Sequence, residues 1–148
     1  MKIEEVCPVK FIDILSKALK EEKQLEKPEE AAYIKTGHGR EMPPDSADWY
    51  YVRAASILRK LYMEELTNPE KSKHGFGVMW FARVYGGAKN NGHKPSHTVS
   101  GSKSLVRRIL QSLENIKLVS KLSMGGRKLS PNGLSYLQGM ADKAAKTA

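Results

Sequence analysis

Apolar residues recur at helical spacing in several stretches, and the strongest stripe lies at 48–63. There DWYYVRAASILRKLYM sets Tyr51, Ala54, Ala55, Leu58, Leu61 and Tyr62 on one side of a helix. On the opposite arc, at ~100° per residue, Arg53 and Lys60 nearly eclipse one another, with Ser56 and Trp49 beside them and Arg59 further round. No Gly or Pro interrupts the run. Asp45 is placed to cap its start, and Asp48 to stand in the first turn, where negative charge suits the helix dipole. This helix has a dry side and a cationic side. Taken alone, its basic residues are a solvated face.

Other elements follow from the same pattern. Pro8 opens a helix to about residue 22, with Val9, Ile12, Leu15 and Leu19 inward and Lys17 and Lys20 between them. Pro28 starts a shorter helical piece that Gly37 stops. Residues 38–47 form a loop with paired prolines. Residues 64–75 are polar, contain a proline and lack a period, which predicts a surface loop. FGVMWFARVY at 76–85 is aromatic and β-branched between glycines, so one or two short strands are expected. Residues 86–101, with an Asn-Gly dipeptide and Lys89 and Lys94, read as a long basic loop suited to ordering on a phosphate backbone.

A second strong helix starts at the cap Ser102 and carries Leu105, Val106, Ile109, Leu110, Leu113 and Ile116 as its stripe. Lys103, Arg107 and Arg108 occupy its first two turns, where the dipole disfavours cations, an arrangement that makes sense if an external anion docks there. LVSKLSMGGRKLS then patterns as a β-hairpin with Lys121, Arg127 and Lys128 near its tip. Ser130 and Pro131 open a last helix with Leu134, Leu137 and Met140 inward. The expected architecture is mainly α: about five helices around a central amphipathic helix, winged-helix-like, with one or two short β-hairpins. A helix followed by a basic hairpin is the order of elements in a winged-helix module.

Charge changes the picture most. The net charge is +9, from 25 Lys and Arg against 16 Asp and Glu. Residues 1–48 hold 8 basic and 11 acidic side chains, a balance of −3, whereas 49–148 hold 17 and 5, a balance of +12. Such segregation argues for a surface that meets a polyanion, with nucleic acid leading. A membrane surface is the weaker candidate, because no long amphipathic helix combines a basic face with exposed Trp, Phe and Leu. With 148 residues the chain is the size of a single domain; its last residues, about 143–148, form an Ala and Lys tail expected to be mobile. The first residues have acids where a signal peptide needs cations and then a greasy run, and no stretch is apolar for ~20 residues, so a soluble intracellular protein is expected. The single Cys7 excludes an internal disulfide and reads as a small half-buried side chain near a helix start.

Candidate chemistry is sparse. His93 and His97 have H-x3-H spacing without paired cysteines, and His38 and His74 lie in unrelated loops, so no metal site is expected. Gly101-Ser102-Lys103-Ser104 lacks the glycine and GK[ST] order of a nucleotide loop, although it can hold a phosphate at a helix N-terminus. Few acids follow residue 48, which disfavours a paired-carboxylate active site. No enzyme, cofactor or small-molecule substrate is expected.

At this point several motifs carry a resemblance. Trp49, Tyr51, Arg53-Ala54-Ala55-Ser56, Arg59 and Leu61-Tyr62, then Tyr85-Gly86-Gly87, Gly92, Pro95-Ser96-His97 and Gly101-Ser102-Lys103-Ser104 occur in one order. They continue through Arg107-Arg108, Leu110-Gln111 and Leu113-Glu114 to Gly125-Gly126-Arg127-Lys128-Leu129-Ser130-Pro131 and Gly133. Together they resemble the eukaryotic and archaeal-type small-subunit ribosomal protein S-nineteen family over most of the chain. That resemblance implies a winged-helix-like domain bound to ribosomal RNA in the head of the small subunit, beside neighbouring head proteins. It also implies a cytoplasmic place on the ribosome and, in eukaryotes, a transient nucleolar one, with a part in subunit assembly and RNA maturation. No stable homo-oligomer is implied.

The RNA-facing set it implies comprises Trp49, Arg53, Arg59, Lys60, Arg83, the segment 85–101 with Lys89, Lys94, Ser96 and His97, then Ser102, Lys103, Arg107, Arg108, Arg127 and Lys128. Two departures stand out: Ala88, Lys89, Asn90 and Asn91 replace the family's usual basic run after Tyr-Gly-Gly, and residues 64–82 are longer than usual. The alternatives are a winged-helix DNA-binding regulator with 102–115 in a major groove, and an adaptor for an acidic protein.

Overall fold

A computed structural model describes residues 2–22 and 25–146 of the chain. In order these form α1 (Pro8–Glu21), a 3-10 turn (Glu29–Ala32), α2 (Trp49–Thr67), α3 (Pro69–His74), α4 (Val78–Val84), β1 (Gly87–Asn91), β2 (Lys94–Val99), α5 (Lys103–Asn115), β3 (Val119–Lys121), β4 (Arg127–Leu129) and α6 (Pro131–Lys146). The fold is mainly α and winged-helix-like, with six helices among the described residues and two antiparallel hairpins, β1–β2 and β3–β4. α2 is the central element, packed against α1, α3, α5 and β4. Its stripe is broader than periodicity predicts. Ala54, Ala55, Leu58 and Leu61 are buried as expected, but so are Trp49, Tyr50 and Ile57, while Tyr51 and Tyr62 are half-buried. A helix enclosed by neighbours on several sides buries more than one face.

Four segments depart from their expected form. The helical piece expected from Pro28 to a stop at Gly37 is only the 3-10 turn Glu29–Ala32, and Gly37 instead pairs with Gly101 as an isolated bridge. Residues 64–75 are helical: α2 runs on to Thr67, and α3 follows, with Pro69 in its first turn. Residues 76–85 are not strands. Val78, Phe81, Ala82 and Tyr85 recur at helical spacing and fold as α4 with its C-cap at Tyr85, burying Phe81 and Ala82, so packing overrides the β-branched composition. Residues 86–101 are not an open loop. A two-residue turn with Gly92 first, at φ 71°, reverses the chain and pairs Lys89 with His97 and Asn91 with Lys94.

The second hairpin is as predicted, pairing Val119 with Leu129 and Lys121 with Arg127. It is also anchored: Phe76 exchanges both backbone hydrogen bonds with Arg127, at 2.8 and 3.1 Å. A Cβ at Gly126 would lie 2.0 Å from the His74 carbonyl oxygen, so only glycine admits this approach.

Caps and core positions hold in part. The Ser102 hydroxyl accepts the Leu105 N–H, and the Ser130 hydroxyl accepts the Gly133 N–H at 2.9 Å. Asp45 lies in the preceding loop, and Asp48 takes the N-cap position of α2, its carboxylate held by Lys20 at 2.8 Å rather than by a backbone amide. Val9 and Leu134 point to solvent, and Phe11 fills the core position near Val9. Cys7, expected to be half-buried, is exposed at the N-cap of α1, where the Lys10 and Val9 amides lower its thiol pKa. α6 continues through the expected tail to Lys146, with Ala144 buried; residues 147–148 of that tail lie outside the described residues.

Candidate nucleic-acid interface

Tyr85, at the C-cap of α4, gathers the polar arc of α2. The Arg53 Cζ lies 4.1 Å from its ring centroid and the Lys60 Nζ 5.9 Å, while its hydroxyl hydrogen-bonds the Ser56 Oγ at 2.9 Å. Residues 53, 56 and 60 share one helical face, so a single aromatic ring reaches all three. The negative face of the ring favours cations over it. Burial raises the Tyr85 pKa, opposed by the Ser56 hydrogen bond and the Arg53 charge. Burial likewise lowers that of Arg53; Tyr85 opposes the shift and the nearby charge of Arg40 adds to it. The guanidinium stays charged, since even a lowered arginine titrates far above neutrality. No carboxylate pairs with Arg53 or Lys60 among the described residues.

Residues 35–40 come from the acidic third of the chain yet fold onto this surface. The Ser102 N–H donates to the Thr36 carbonyl at 3.0 Å, and Gly37 bridges Gly101. The His38 Nε2 stands 2.6 Å from the Lys89 Nζ. A Cβ at Gly87 would lie 3.7 Å from the Arg40 Nη2. Lys35, His38 and Lys103 line one groove with the exposed Tyr33 and the start of α5. A basic region therefore runs from Lys60 and Arg53 through Arg40 and Lys89, whose ammonium donates to the His38 Nε2, to Lys35 and Lys103. Its chemistry suits phosphates: Lys and Arg without a carboxylate partner among the described residues neutralise them, and the backbone of a folded polyanion can track across the region.

The model of the family described as ribosomal protein S19e matches residues 2–147. The chain belongs to that family. It is 40% identical over 137 residues to the small ribosomal subunit protein eS19 of Thermoplasma volcanium, covering 92% of this chain and 84% of the relative. It is 37% identical over 131 residues to the protein of the same name from Myxine glutinosa, covering 88% and 84%. With that of Oryza sativa subsp. japonica it shares 34% identity over 145 residues, covering 98% and 93%.

Within this family member the predicted interface residues divide. Arg83, Lys94, Ser96, His97, Lys103 and Arg107 are exposed; Arg53, Arg59, Lys60, Lys89, Ser102 and Lys128 are half-buried. Three positions bond to other residues of the protein, Trp49 and Arg127 from buried positions and Arg108 from an exposed one. Trp49, expected on the cationic arc, is 8% exposed and donates its indole N–H to the Ala31 carbonyl at 3.2 Å, which packs the 3-10 turn against α2. Arg127, expected near a hairpin tip, is buried and paired with Glu114, the Nε and Nη2 each 3.3 Å from Oε2. Arg108 is tied to the Glu30 carboxylate, which raises its pKa. The sequence does not mark Lys35 and Arg40 as interface residues, and it presents His38 only as a loop histidine. Their basic cluster in an otherwise acidic third was the available signal. Among the described residues no helix is long and apolar enough to cross a membrane, and no three His, Cys, Asp or Glu gather where an ion could sit.

Proposed function

We infer that this chain is a structural constituent of the small ribosomal subunit, in its head, folded as one RNA-binding domain. The observation that carries the reading is the pair of cations around Tyr85, Arg53 and Lys60, without a carboxylate partner among the described residues, in a chain of this family. Its contacts are ribosomal RNA through Arg53, Lys60, Lys89, Lys94, Lys103 and Arg107, extended by Lys35, His38 and Arg40, together with neighbouring head proteins. Lysines and arginines neutralise phosphates and release counterions, while the β1–β2 hairpin follows RNA shape with little base reading. On this reading the protein supports subunit assembly and RNA maturation. It resides on cytoplasmic ribosomes and, in a eukaryotic cell, passes through the nucleolus.

A DNA-binding regulator is not favoured: the relatives at 34–40% identity are all named as small-subunit ribosomal proteins. Sedimentation of the tagged protein on a sucrose gradient tests the reading. Co-migration with small subunits that ribonuclease abolishes is expected. A dimer sedimenting alone, or partner binding that survives ribonuclease, overturns it.

A further inference from the structure

Beside the Arg53–Tyr85 pair opens a cleft of about 420 Å³, lined by Ile12, Pro44, Trp49, Val52, Arg53 and Tyr85 among others. Its walls are largely apolar, and Val52 stays 38% exposed on α2 facing it. Resting on the ribosomal-RNA reading above, we propose that this cleft receives one unpaired nucleotide of the bound RNA, its base inserted among the apolar side chains.

Two observations select that occupant. Arg53 is a planar cation whose Cζ lies over an aromatic ring, 4.1 Å from its centroid; it has no carboxylate partner among the described residues and forms part of the cleft wall. Splayed-out bases stack on aromatic rings and on arginine planes, and the attached phosphate calls for a cation at the rim. The cleft also continues directly into the cationic region, since Tyr85 and Arg53 belong to both. An apolar peptide would leave the guanidinium unpaired and half-buried. A fully paired RNA helix presents no free base to enter.

The test is a Val52→Trp variant, which fills the cleft without removing a charge, measured with in vitro transcribed small-subunit RNA over a series of salt concentrations. The affinity should fall about tenfold or more, the scale of one lost stacked base, with the slope against salt lowered by no more than about 1, since every cation remains and at most the displaced nucleotide's own phosphate leaves the rim. Leu134→Trp, which places the same bulk at an exposed position of α6 outside the cleft, should bind as the parent does, and the melting temperatures show whether both variants fold. Ultraviolet cross-linking of the parent complex should attach a single unpaired nucleotide to a peptide carrying Val52 or Tyr85. A folded Val52→Trp protein that binds with parental affinity, or adducts confined to the β1–β2 hairpin, overturns the proposal while leaving RNA binding intact. Failure of the parent itself to bind RNA overturns the underlying reading and the cleft's role together.

Discussion

Glu65 Oε1 accepts the backbone N–H of Leu129 at 2.8 Å and so ties the central helix to β4. Leu129 is buried, so this amide has no ready access to water. Glu65→Ala should therefore cost about 1–3 kcal/mol, the range for stranding a buried donor. Burial raises the Glu65 pKa more than the Leu129 hydrogen bond and the charge of Lys128 lower it. A folded state that binds the proton more tightly than the unfolded one loses stability as pH rises, in the window that opens at about pH 4.3, the ordinary glutamate value. Glu65→Gln keeps an acceptor for the amide and removes the desolvated charge. Its stability at pH 7 should equal or exceed the parent's, and the decline above pH 4.3 should flatten, as urea unfolding across pH would read.

Arg127 and Lys94 should separate stability from binding. Arg127 holds Glu114 in a largely dry pair, whereas Lys94 stands exposed on the β1–β2 hairpin without an acidic partner among the described residues. Arg127→Ala leaves a half-buried carboxylate unpaired and should cost about 2–4 kcal/mol, with little change in RNA affinity of the folded fraction. Lys94→Ala should leave the melting temperature unchanged and reduce the slope of log affinity against log salt by about 1. Thermal melts and filter binding at several salt concentrations check both.

How far the fold was legible tracks where packing and local chemistry agreed. α5 and the β3–β4 hairpin were readable because Ser102 caps, the stripe from Leu105 to Leu113 keeps strict spacing, and glycines sit at the turn. The segment 76–85 misled, since Phe76, Val78, Trp80, Phe81 and Val84 favour strands in composition, and only burial of Phe81 and Ala82 decides for a helix. β2 was invisible for the opposite reason: from Lys94 to Thr98 it is exposed on both faces, so no alternation marks it. The site was legible in Arg53 and Lys60, which share a helix face. The roles of Trp49 and Arg127 depended on Ala31 and Glu114, partners supplied by folding.

Lys117 ends α5 at φ 64°, the only non-glycine residue with positive φ among those described. Its N–H bonds the Glu114 carbonyl at 2.9 Å, and the Leu118 N–H reaches back to Leu113 at 3.1 Å, the two bonds of a Schellman stop. A side chain in this conformation costs about 1 kcal/mol that glycine would not incur. Lys117 is exposed, so little packing is lost on replacement. Lys117→Gly should raise stability by roughly 0.5–1 kcal/mol, after the greater entropy of an unfolded glycine is subtracted. Chemical denaturation would show it as a higher midpoint at unchanged slope; a lower midpoint would mean the lysine makes a contact that outweighs the strain.

Tyr85 offers the sharpest separation of platform from hydrogen bond. Its hydroxyl holds Ser56 and its ring faces Arg53 and Lys60. Tyr85→Phe removes only the first and should cost about 1 kcal/mol of stability while RNA affinity stays within twofold. Tyr85→Leu keeps an apolar filler and removes the ring, so Arg53 loses a cation–π contact worth about 0.5–2 kcal/mol and its fixed position. RNA affinity should then fall by several-fold, because a freed arginine must be ordered again on binding. The salt slope should hold near the parent value, since both cations remain. A Tyr85→Leu protein with parental affinity would show that Arg53 reaches the RNA without its aromatic support.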